Sequence, residues 1–130
     1  MKKVFLTGLL ALLTCFGFAA GPIRFGESVP EAVVPLLTQR LTTMLEAGNV
    51  AEAPLEVHAV VTDRMETSGS IAQTALAIEL VLQSGELREC FILKGIGADE
   101  GDAWLRAVKQ FLPHSQAARS FVERLKETMR

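Results

Sequence analysis

In three runs between Leu55 and Lys94 apolar side chains recur at alternate positions, and this period of two constrains the fold more than any other feature of the chain. Leu55, Val57, Ala59 and Val61 fall on one side, opposite Glu56, His58, Val60 and Thr62. Leu76, Ile78, Leu80 and Leu82 repeat the pattern opposite Ala77, Glu79 and Val81, and Leu87, Phe91 and Leu93 oppose Arg88, Cys90 and Lys94. Such alternation suits a strand with one buried face, whereas a helix would scatter the same side chains around its circumference. Asp63 to Ser70 is polar and turn-rich, and Ser84-Gly85 forms a tighter break. Three strands with short links predict an antiparallel meander.

The flanks change period. Leu37, Leu41, Met44 and Leu45 recur at helical spacing, and Gly48-Asn49 supplies a stop. Ser28 and Glu31 have the spacing of a capping box, while Pro35 sets the regular helix to begin near its own position. Ile23-Arg24-Phe25 reads as a short extra strand or an ordered lead-in. After the third strand, acidic residues from Asp99 to Asp102 start a helix with a Trp104, Ala107, Val108 and Phe111 stripe. Pro113 interrupts it, and Ser115 caps a last helix carrying Ala118, Phe121, Val122, Leu125 and Met129 on one face. Segregated element types predict an α+β fold: an N-terminal helix, the three-stranded meander with a candidate strand at 23–25, and two C-terminal helices packed on one sheet face.

Residues 1–19 read as a cleaved signal peptide. Lys2 and Lys3 precede an uncharged run from Val4 to Phe16, and cleavage after Ala19 places Gly17 and Ala19 at the small-residue positions. The run falls short of the roughly 20 residues of a bilayer-spanning helix, so no transmembrane span is expected in the mature form. Leu12-Leu13-Thr14-Cys15 is an alternative, similar to a bacterial lipobox, although Thr14 stands where Gly, Ala or Ser is usual. On the first reading Cys15 leaves with the leader, and Cys90 alone cannot form an intrachain disulfide. Residues 20–130 carry no linker, repeat or low-complexity tract, and form a single α+β domain. The 130-residue chain has 13 basic and 15 acidic residues, and losing Lys2 and Lys3 leaves a net charge of −4. That balance, with one Trp and no Tyr, argues against nucleic acid as a partner.

Candidate reactive groups are sparse. Gly95-Ile96-Gly97-Ala98-Asp99-Glu100-Gly101 lies where a phosphate loop would sit, yet its third Gly is one place late, no Lys-Ser/Thr pair follows, and Asp99, Glu100 and Asp102 would repel phosphate. A strand-to-helix turn explains it better. His58 shares a strand face with Glu56 and precedes Asp63, but His114 is the only other histidine and a three-His metal site is excluded. Cys90 would serve as a nucleophile only if His58 approached it, and it reads as a half-buried structural thiol. Thr67-Ser68-Gly69-Ser70 lacks the flanking glycines of a nucleophile elbow. Glu27, Glu31 and Glu46, or Asp99, Glu100 and Asp102, lack the ligand spacing of a calcium loop. The last helix mixes charge signs on its polar face, which favours packing on its own sheet over membrane binding. No catalytic, cofactor-binding or metal-binding residue, and no cofactor, is assigned.

Gly95-x-Gly97-x-x-x-x-Asp102-Ala103-x-x-x-Ala107, between a hairpin and a covering helix, resembles small exported α/β envelope modules. It is similar to the curli secretion lipoprotein and the amino-terminal domain of TolB, and to uncharacterised secreted proteins of Gram-negative bacteria. The resemblance spans Ile23 to Phe111 in element order and transfers no functional residue. It implies a periplasmic or secreted, non-enzymatic module that docks an envelope protein, or an outer-membrane lipoprotein if Cys15 is acylated. The competing expectation is a small hydrolase or thiol-dependent enzyme using Cys90 and His58.

Overall fold

The computed structural model describes residues Ile23–Arg130; the signal-peptide and Cys15 readings lie outside them. The chain runs β1 (Ile23–Phe25), a 3₁₀ turn (Glu31–Val33), α1 (Val34–Ala47), β2 (Leu55–Thr67), β3 (Gln73–Ser84), β4 (Leu87–Gly97), α2 (Glu100–Val108) and α3 (Gln116–Thr128). The fold is α+β, with one mixed four-stranded sheet in the order β1-β2-β3-β4. The expected antiparallel meander is its larger part. The candidate strand at 23–25 forms as β1 and makes the sheet four-stranded and mixed rather than a three-stranded meander, because it pairs parallel to β2, Ile23 beside Leu55 and Phe25 beside Val57.

Strand register explains the burial. Val57, Leu82 and Glu89 form one inward row, Ala59, Leu80 and Phe91 the next, and Ile78 and Leu93 a third, while Val61 beside Ile78 is left exposed at the irregularity in β2. Leu55, Val57, Ala59, Leu76, Ile78, Leu80, Leu82 and Leu93 join one core with Leu37, Leu41, Met44 and Leu45 of α1, Trp104 and Ala107 of α2, and Phe121 and Leu125 of α3. The helices therefore cover a single sheet face, and among the described residues no helix lies on the other, called the bare face below.

Local chemistry sets the helix ends. Asp99 Oδ1 accepts the Asp102 N–H at 2.8 Å to open α2, and Ser115 Oγ accepts the Ala118 N–H at 3.2 Å to open α3. α1 ends at Gly48, and Asn49 takes the left-handed conformation with φ 60°. Ser28 does not form the expected capping box. Its hydroxyl instead accepts the Ala59 N–H at 3.1 Å, a β2 donor otherwise without a neighbouring strand, and α1 begins after the 3₁₀ turn with Pro35 in its first turn.

Three boundaries differ from the periodicity, the first because β4 runs past Lys94 to Gly97, so Gly95 and Gly97 pair with Leu76 and Thr74 instead of forming the expected strand-to-helix turn. β2 continues through Asp63 to Thr67, where a turn was expected, because Glu66 and Thr67 still pair with Thr74 and Gln73 after a bulge between Val61 and Asp63. α2 stops at Val108, although Phe111 remains buried and meets Phe91 edge-to-face at 5.2 Å. Arg40 of α1 fixes this α2–α3 link by donating from Nη1 to the Phe111 carbonyl at 2.9 Å.

Candidate functional site

The side chains considered for chemistry divide between the bare sheet face and the β4–α2 junction. On the bare face, β2, β3 and β4 place His58, Val81 and Cys90 in one cross-strand row. His58 and Cys90 thus share a face but stand two strand spacings apart, about 10 Å between backbones. Val81, only 4% exposed, fills the interval. The His58 ring leans the other way, against the backbone of Gly26 beyond β1, where an added Cβ would lie 2.7 Å from its Cε1. Its Nε2 stands 3.7 Å from Glu56 Oε1, a half-exposed pairing. The register therefore does not bring thiol and imidazole together.

Cys90 is a free, exposed cysteine rather than the half-buried thiol expected. The reason is topological: it points from an edge strand toward the face without helices. Asp63 lies past the bulge, opposite Ala77, and is exposed. His114 is exposed in the α2–α3 link, and Thr67–Ser70 form the exposed end of the β2–β3 hairpin. Glu27, Glu31 and Glu46 are also exposed, and no group of three metal-ligating side chains converges among the described residues.

At the β4–α2 junction the acidic residues are occupied in starting the helix. Asp99 caps it, while Asp102 Oδ2 accepts the Ala98 N–H at 2.9 Å and Arg106 Nε at 3.1 Å. The Ala98 hydrogen bond, then Arg106, hold the Asp102 carboxyl below its ordinary value. Glu100 pairs with Arg64 of β2, whose guanidinium also bonds Glu66. Gly95 and Gly97 act as floor. A Cβ on Gly95 would collide with the Ala103 carbonyl oxygen and the Ala107 nitrogen, and one on Gly97 would lie 2.5 Å from the Ala103 nitrogen. The glycines thus let α2 rest backbone-to-backbone on β4, and the motif running to Ala103 and Ala107 is a packing seam.

A depression of about 210 Å³ lies between Arg24, Leu55, Glu56, Gln83 and Ser84. It is smaller than the roughly 300–1,000 Å³ usual for a small-molecule site, and Arg24 and Glu56 are its only charged walls. A larger feature went unnoticed in the alternating sequence. Val60, Met65, Ile92 and Ile96 of the bare face are 50%, 60%, 59% and 57% exposed; Met65 and Ile96 flank Ala75 of β3, Val60 and Ile92 flank Glu79, and the row between them is Asp63, Ala77 and Lys94. Their position opposite the core-facing residues was the available signal. Among the described residues no helix is long and apolar enough to cross a membrane. Compared with protein-family models, curated proteins and solved structures, the chain matches none.

Proposed function

We propose that this chain is an exported, non-enzymatic module that binds another envelope protein through its sheet. The observation that carries this reading is the sheet face that the described residues leave uncovered, where four branched or thioether side chains stand half exposed in two pairs, one across Glu79 and one across Ala75. The basic and apolar leader supports export, with the periplasm or the cell exterior as destination, and acylation at Cys15 is the alternative route to the envelope. The resemblance to exported envelope modules points the same way.

The test uses intact cells producing the full chain. A photo-reactive residue at Val60 or Met65 should form a discrete crosslink to an envelope protein, and mass spectrometry of the mature N-terminus should find cleavage after Ala19. Absence of crosslinks from every surface position, or an intact leader on protein recovered from the cytoplasm, would overturn the proposal.

A further inference from the structure

The sheet has two lateral boundaries of opposite character. On the β2 side, β1 pairs with Leu55 to Val57, Gly26 donates to the Val57 carbonyl at 2.8 Å, and Ser28 accepts from Ala59. Beyond Ala59 the strand is bulged between Val61 and Asp63, and Arg64 and Glu66 then point to the helix side, opposite Leu76 and Thr74. A covering strand, a bulge and inward charges are three devices that block pairing with another chain.

Among the described residues the β4 side has no covering strand, and its pairing has no bulge. Leu87–Gly97 is eleven residues long, contains no proline, and pairs with β3 in unbroken register from Ser84–Leu87 to Thr74–Gly97. Among the described residues no strand lies on its outer side, and no backbone hydrogen bond from another element reaches it. Its inward charge, Glu89, is already paired with Arg124 of α3. Its outward row reads Arg88, Cys90, Ile92, Lys94 and Ile96, two cations and no acid. Neither cation forms an ion pair among the described residues.

We infer that β4 is a strand-addition edge for an extended, anionic segment of a partner protein, which extends the sheet to five strands. This inference rests on the protein-binding reading above and specifies its edge and the chemistry of its partner. Backbone hydrogen bonds supply the affinity, and alternate side chains supply the selection. Carboxylates face Lys94 and Arg88, hence stand six residues apart, with a branched aliphatic residue between them over Ile92. That spacing holds for either strand polarity. A small residue faces Cys90, and a second aliphatic residue faces Ile96.

The probe is the blocked peptide Val-Thr-Glu-Thr-Val-Thr-Ala-Thr-Glu, written for the antiparallel register, titrated into the mature protein. Saturable binding with slowed amide exchange confined to Leu87–Gly97 is expected. Replacing both probe glutamates with lysine, or introducing R88E and K94E together, should weaken binding about tenfold, and combining the two changes should recover it. These exposed substitutions leave the core untouched, and circular dichroism checks that the variant is folded. No binding, protection on β2, or indifference to the charge swap would overturn the inference. Protection of β4 without peptide, accompanied by a dimer in sedimentation, would overturn it in favour of a second copy as occupant. Photo-crosslinking from Ile92 in cells separates the two levels: crosslinks from Val60 or Met65 alone remove the β4 edge and keep the protein-binding reading, whereas crosslinks from nowhere remove both.

Discussion

Replacing Gly95 with alanine tests whether α2 truly rests on the backbone of β4. At an unstrained position, glycine to alanine stabilises a fold by about 0.4–1 kcal/mol because the unfolded chain loses freedom. At Gly95 the new methyl would meet the Ala103 carbonyl oxygen and the Ala107 nitrogen, and would lie 3.0 Å from Ala107 Cα. All three are main-chain atoms, so no rotamer change relieves the collision. Ordinary contact requires the helix to retreat by about 1 Å. The retreat strains a helix whose Ala103, Trp104, Ala107 and Val108 are all buried. Overpacking of this kind costs about 1–3 kcal/mol, and we expect a net loss of about 1.3 kcal/mol after the chain-entropy gain. In a domain of this size that lowers Tm by roughly 5–8 °C. Urea and thermal unfolding followed by circular dichroism give the magnitude, and Trp104, the single tryptophan, reports the helix directly. The matched control is Gly101→Ala, where the nearest atom to the new methyl is Asp99 Oδ1 at 3.6 Å. It lies in the first turn of α2 and should stabilise by up to about 1 kcal/mol. A Gly95→Ala midpoint at or above that of the parent, with unchanged Trp104 emission, would refute the seam.

Four further outcomes follow from named contacts. The folded Asp102 carboxyl is held below its ordinary value of 3.8, so its contribution is present above that value and is lost as pH falls through it and then through the lower folded value. Asp102→Asn removes this component, and its unfolding midpoint should change less than the parent's between about pH 6 and pH 3. Ser28→Ala deletes the acceptor of the Ala59 N–H, and should cost about 1 kcal/mol with faster amide exchange at Ala59. Arg40 Nε is buried without a partner while Nη1 serves the Phe111 carbonyl, so Arg40→Met, which keeps the apolar stem, should change stability by less than about 1 kcal/mol by urea titration. His58→Ala should leave cellular function intact in a complementation assay, because Val81 separates the imidazole from the Cys90 thiol.

The period of two made three strands and their inward faces legible, since the buried positions from Leu55 to Ala59 and from Leu76 to Leu82 follow from parity, Val81 excepted. β1 was less so. Three residues carry too little pattern to distinguish a strand from a lead-in, and what orders Ile23–Phe25 is its parallel pairing with a segment 32 positions away. The far end of β2 was illegible for a different reason. The bulge reverses which side each residue faces, so Arg64 and Glu66 occupy inward parity and read as turn chemistry. Gly95 and Gly97 read as part of a strand-to-helix turn, yet both have inward parity on β4, and Ala103 and Ala107 stand one helical turn apart. That pairing of small residues was visible in the sequence, but its meaning depends on how closely α2 approaches the sheet.

The packing seam also bears on binding. A strand that must order itself to accept a partner loses part of the interaction energy to conformational entropy, and glycine loses more of that freedom than any other residue. In β4 the cost is already met by folding, because Gly95 and Gly97 lie beneath α2, Leu93 is buried beside them, and β3 holds the full length in register. β2 would have to rearrange its bulge and release Arg64 from Glu66 and Glu100 before its outer half could offer a straight ladder. The two edges thus differ in preorganisation as well as in protection. A partner strand that finds both should select β4, and Gly95→Ala, by disturbing the helix that clamps it, should weaken the peptide probe even at temperatures where the variant remains folded.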